Sequence, residues 1–142
     1  MKKFALLFIL ALIVSTPSVF AQKVVSTKAH KVVIQLTSSD TLVHKAVLKQ
    51  INNLLTAAPN AKIEVVCHNN GIEFLTAAKT KSAAGIAELK TKGVVFAACE
   101  NTLRERKIEK TDIVPEAIFV PAGILEVIMK QEKGYSYLKA GF

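Results

Sequence analysis

Short runs of consecutive apolar residues alternate along this chain with stretches in which apolar residues return every three or four positions. The first run, Lys31-Val-Val-Ile-Gln-Leu-Thr37, is β-branched and too short for a helix, so it predicts a strand. Ser38, Ser39 and Asp40 then supply helix-capping side chains. Val43, Val47, Ile51 and Leu54 follow at helical spacing, with Leu42 and Ala46 beside them, which predicts an amphipathic helix over 42–55 stopped by Pro59-Asn60. Lys62-Ile-Glu-Val-Val-Cys67 predicts a second strand, and His68-Asn-Asn-Gly71 a turn. A short helix is expected from Gly71 to Ala78, an exposed polar segment from Lys79 to Ser82, and a helix from Ser82 to Lys92 ended by Gly93.

Val94 to Cys99 reads as the third strand. Thr102-Leu-Arg-Glu105 has the form of a capping box opening a short helix from Leu103 to about Lys107. Ile108 to Pro115 reads as a connector and Ala117-Ile-Phe-Val120 as a fourth strand. Pro121 can open the next helix because no amide donor is needed at that position. That helix, with Ile124, Leu125, Val127, Ile128 and Met129, is apolar over a broad face and ends at Gly134; Tyr135 to Leu138 forms the last strand. The alternation predicts a three-layer α/β/α sandwich around a mostly parallel five-stranded sheet. Ligands of such sheets bind beyond the C-terminal strand ends. Thr37 to Asp40, Cys67 to Asn70, Cys99 to Thr102 and Pro121 to Gly123 are therefore expected to converge.

The first residues have a different pattern. Lys2 and Lys3 precede an apolar run from Phe4 to Val14, broken by Ser15 to Ser18, with Val19 and Ala21 flanking a cut ahead of Gln22. This is the layout of a cleavable secretory signal over residues 1–21. The run is shorter than the roughly 20 apolar residues that span a bilayer. The expectation is one α/β domain over residues 22–142, periplasmic or secreted, with no membrane attachment after cleavage.

Composition narrows the chemistry. The chain carries 19 basic and 11 acidic residues for a net charge of +8, and loss of Lys2 and Lys3 lowers it to +6. The lysines are scattered, Trp is absent and the two Tyr lie near the C-terminus, so no basic stripe with interleaved aromatics marks a nucleic-acid surface. The glycines form neither a dinucleotide fingerprint nor a P-loop. Cys67, His68 and Cys99 lack a recognised metal-ligand spacing, and no metal or organic cofactor is expected.

Cys99 is the central candidate. It ends an apolar strand just before a helix start, and a helix N-terminus lowers a thiol's pKa from about 8.5 and favours thiolate. The competing reading is a small buried hydrophobe that completes the strand. Cys67 reads mainly as packing, with pairing to Cys99 as an alternative. His68 stands at the functional rim, either as a partner for a thiolate or as a solvated turn residue. His30 and His44 read as surface residues.

Phe96-Ala-Ala-Cys99-Glu-Asn-Thr-Leu103, Pro121-Ala-Gly123 and Gln131-x-x-Gly134-Tyr-x-Tyr137 resemble the DsrE/DsrF-like family of small sulfur-relay proteins. The resemblance runs from Lys31 to Leu138 and is nearer an exported branch than the cytoplasmic relay members. It implies a five-stranded α/β/α fold and assembly into homotrimers or hexamers. It also implies that Cys99 carries sulfur as a persulfide, with Asn101 and Thr102 as neighbours, between a donor or acceptor protein or a small thiol. The other readings are a non-catalytic oligomeric module that binds a small ligand at the strand ends, and a thiol redox protein using both cysteines.

Overall fold

The computed structural model describes residues 25–141; the expected signal segment lies outside them. Five parallel strands, β1 (Lys31–Leu36), β2 (Lys62–Cys67), β3 (Val95–Cys99), β4 (Ala117–Val120) and β5 (Ser136–Lys139), form one sheet in the order β4-β3-β2-β1-β5. The helices are α1 (Thr41–Ala57), α2 (Ala83–Thr91), α3 (Glu100–Arg106) and α4 (Gly123–Glu132). Single 3-10 segments cover Asn69–Phe74 and Lys110–Asp112. No helix among the described residues is long and apolar enough to cross a membrane.

Chain direction explains the layers. From β1 to β4 each connection steps the same way across the sheet, so right-handed crossovers place α1, α2 and α3 on one face. The return from β4 to β5 runs the opposite way and places α4 on the other face. The α1/α2 face holds the larger core, with Val47, Ile51, Ile86 and Leu89 from the helices against Leu36, Val65, Cys67 and Phe96 from the strands. The α4 face buries a smaller group, Val33, Val66, Ala97, Val120 and Val127.

Local chemistry sets the element ends. Asp40 caps α1 by accepting from the Leu42 amide at 2.8 Å. Gly93 and Gly134, at φ +85° and +81°, end α2 and α4 in a conformation that L side chains rarely adopt. Gly71 lies so close to the end of β1 that an added Cβ would stand 2.0 Å from the Leu36 carbonyl oxygen, which ties the first 3-10 segment to the sheet.

Five expectations change. The segment after Cys67 is 3-10, from Asn69 to Phe74, rather than a helix from Gly71 to Ala78. Ser82, expected to be exposed, is buried just before α2. α3 begins at Glu100 with Cys99 as its N-cap, so Thr102 lies inside the helix and the Thr102–Glu105 box does not form. Pro121 precedes the N-cap Ala122 of α4 instead of opening that helix, and its carbonyl accepts from the Asn101 amide at 3.2 Å. His44 is buried on the inward stripe of α1 with Val47 and Ile51; its Nε2 bonds the Ser38 carbonyl at 2.8 Å and its ring meets Phe74 edge-on at 5.0 Å.

Candidate functional site: a thiol at the crossover crevice

The loop leaving β3 turns to the α1/α2 face and the loop leaving β4 turns to the α4 face. Adjacent strands whose connections part in this way open a crevice at their C-terminal ends, the usual ligand position in open α/β sheets. Cys99 ends β3 at that point. Its partner in β4 is Val120, three residues before the first residue of α4.

Side-chain direction separates the two cysteines. Cys67 pairs with Ala98 across the parallel ladder, and both belong to the α1/α2 core. Cys99 follows Ala98 and points to the opposite face, where the Gly123 amide of α4 donates to its Sγ at 3.1 Å. Both cysteines are free. Their side chains lie on opposite sides of one sheet, so the pairing considered from sequence has no geometry to form without backbone movement. The same placement prevents Cys67, His68 and Cys99 from converging on one metal ion.

The Cys99 sulfur lies between two helix starts. It is the side chain of the N-cap of α3, and it accepts from the first residue of α4, whose own N-cap, Ala122, has no side-chain acceptor. Burial opposes ionisation of the Cys99 thiol. The Thr102 hydroxyl and the amides of Thr102, Gly123 and Asn101 outweigh that burial and leave the thiol below its ordinary pKa. The Thr102 hydroxyl oxygen also accepts from the Asn69 amide at 3.1 Å, which ties the 3-10 segment to the site. For Cys67, burial has no such counterweight and pushes the thiol far up.

His68 belongs to the site rather than to a solvated turn. It is 6% exposed and extends β2 by one residue, which sets it beside Cys99 on the α4 face. Its ring packs on Gly123, where an added Cβ would come within 3.2 Å of two ring carbons. Burial pushes the imidazole pKa down, favouring the neutral ring.

Sequence reasoning missed two further members. Gln35 of β1 bonds His68 Nε2 at 2.8 Å through its side-chain nitrogen, and the Tyr137 hydroxyl of β5 donates to the Gln35 side-chain oxygen Oε1. A polar row thus crosses four strands: Cys99, His68, Gln35, Tyr137. The signal available in sequence was one glutamine inside an otherwise apolar strand. Asn101 is exposed, its side chain accepts from Arg104, and Asn70 accepts from Arg106; these pairs form the outer rim.

Beneath this row, Glu64 of β2 is buried and bonded to Lys130 of α4 at 2.5 Å, with Glu126 at 3.5 Å from the same ammonium. Glu64 Oε1 has no hydrogen-bond partner among the described residues. Burial, only partly offset by Lys130, pushes this carboxyl up. Outside the row, Ile124, Leu125, Ile128 and Met129 expose the outer surface of α4, so most of its apolar face is turned away from the core.

Fold and site define a small parallel α/β/α domain with one amide-bonded thiol at its crossover crevice. The chain belongs to the DsrE/DsrF-like family, whose sequence profile matches residues 26–140. Among solved structures it is similar to MTH1491, a protein of unknown function from Methanobacterium thermoautotrophicum. Identity is 25% with a TM-score of 0.74, covering 78% of this chain and 98% of that one. No curated protein matches the chain.

Proposed function

We propose that this protein is an exported sulfur carrier in which Cys99 accepts a sulfane sulfur and holds it as a persulfide. The observation that carries this reading is the 3.1 Å bond from the Gly123 amide to Cys99 Sγ, in a setting that lowers the thiol. The Cys99 thiolate attacks the terminal sulfur of a donor persulfide, the donor S–S bond breaks, and the donor leaves as a thiolate. A second thiol or sulfite then removes that sulfur and restores the Cys99 thiolate. Neither step changes the overall oxidation level, and neither requires a metal or organic cofactor. Backbone amides stabilise the anion before and after transfer.

The donor and acceptor are a partner protein or a small thiol. Cleavage after Ala21 delivers the domain to the periplasm or medium, and N-terminal sequencing of the exported protein is expected to begin at Gln22. The exposed apolar residues of α4 support assembly into a homotrimer or hexamer; a monomer by light scattering would contradict it.

One observation favours a second reading, a non-catalytic oligomeric module that binds a small ligand: Cys99 is only 4% exposed. Intact mass after treatment with polysulfide separates the two. The carrier reading predicts an added sulfur, removable by dithiothreitol, in wild type and not in Cys99→Ala. An unmodified wild type would sink it.

A further inference from the structure

We propose that Gln35 and Tyr137 are positioning residues that hold His68 as a neutral ring with its proton on Nδ1, so that it serves as a fixed hydrogen-bond donor in the Cys99 crevice and not as the base that ionises Cys99. Its consequence for Cys99 rests on the sulfur-carrier reading; the hydrogen-bond chain stands without it.

The argument follows donors and acceptors. Tyr137 donates to the Gln35 side-chain carbonyl oxygen, and the carboxamide nitrogen faces His68 Nε2 at 2.8 Å. In this orientation that nitrogen has only protons to offer, so His68 Nε2 accepts and the proton of the neutral ring resides on Nδ1. A second ring proton would set Nε2–H against the carboxamide N–H. The ring has one lone pair, already used by Gln35, and cannot take the Cys99 proton without losing that bond.

The three residues come from adjacent strands and one face. Gln35 pairs with Val66, two residues before His68, and Tyr137 pairs with Val33, two residues before Gln35. Val33 and Val66 are both in the core under α4. Several charged groups around this face have partners, while Lys139, opposite Gln35 in the ladder, makes no salt bridge or side-chain hydrogen bond among the described residues. Glu64 and Glu126 engage Lys130, Lys31 donates to the Lys133 carbonyl at 3.2 Å, Glu100 pairs with Lys110, and Arg104 and Arg106 hold Asn101 and Asn70. Among the described residues, Gln35 makes the one side-chain hydrogen bond to the His68 ring. Activation of Cys99 is therefore left to the helix amides and Thr102.

Two-bond proton–nitrogen NMR spectra of the 15N-labelled protein test this, with His68 assigned by its loss in His68→Gln. At pH 7 the ring is expected to show a protonated Nδ1 and a bare Nε2, and to remain so below the ordinary histidine midpoint of about 6.5. In Gln35→Glu the carboxylate can only accept. The proton should then move to Nε2, the ring should titrate above about 6.5, and the pH profile of Cys99 alkylation should gain a second inflection. Tyr137→Phe should give a mixture of the two tautomers. A wild-type ring protonated on Nε2, or on both nitrogens at pH 7, would overturn the proposal whatever Cys99 does. Finding the Nδ1–H ring while polysulfide leaves Cys99 unmodified would support the chain and end only the sulfur-carrier reading.

Discussion

The two faces of the sheet treat the same side chain in opposite ways. Cys67 and Cys99 end neighbouring strands, one residue apart in register, yet one faces the α1/α2 core and the other faces α4. On the first face Cys67 sits in the α1/α2 core, and burial without a counterweight pushes its thiol up. On the second face the sheet carries Gln35, Glu64, His68 and Cys99 among fewer apolar residues, with α4 supplying an amide and a lysine. The difference teaches that the two thiols are set apart by their partners and not by depth: only the strand end that meets the start of α4 gains an amide donor to its sulfur. Both cysteines are buried, and only the one with amide donors has its thiol lowered.

The largest expected effect on this contrast comes from the charge under α4. Lys130→Ala leaves the Glu64 carboxylate buried without a cation, a change that costs about 3 kcal/mol in comparable sites. Removal of the lysine raises the folded carboxyl still further above its unfolded value of about 4.3. The folded state then binds the extra proton, so the variant is least destabilised below about pH 4.3 and loses stability as pH rises from there. Thermal melts from pH 4 to 8 test this slope, and Lys130→Met with Glu64→Leu should recover most of the loss at pH 7. A pH-independent loss would show that the pair matters only as packing.

A smaller effect is expected at the start of α4. Gly123→Ala places a methyl group 3.0 Å from His68 Cβ, so helix and ring must part. The cost is about 1–3 kcal/mol, and the Gly123 amide moves off the sulfur, so the Cys99 thiol should titrate closer to Cys67. Smaller again, Thr102→Val keeps shape and removes the hydroxyl. Loss of its bond with the Asn69 amide costs about 1 kcal/mol by chemical denaturation, and the Cys99 titration should rise while Cys67 does not change.

Much of this was legible in the sequence because it is local. Each strand and each long helix follows from spacing within a few residues, and the alternation of elements leads to a parallel three-layer sandwich, here parallel throughout. The convergence of strand ends was legible too: Asn69 meets Thr102, Pro121 meets Asn101, and Gly123 meets Cys99. The face occupied by each cysteine was not, because it depends on pairing register between distant strands. The capping box misled because Cys99 takes the N-cap position itself, and a cysteine is not among the side chains that mark helix starts. His44 was misread although it lies three and seven residues before Val47 and Ile51 on the buried stripe. The apolar face of α4 was read correctly as apolar, but its burial of only Gly123 and Val127 depends on how little of the second face one helix can cover.

The most direct measurement is site-resolved alkylation of the folded protein by iodoacetamide across pH 5 to 10, followed by peptide mass spectrometry. The prediction is that Cys99 reacts with a midpoint below the free-thiol value of about 8.5, while Cys67 stays unmodified until the protein is unfolded. Equal protection of both cysteines, or faster reaction at Cys67, would contradict the assignment of Cys99 as the activated thiol.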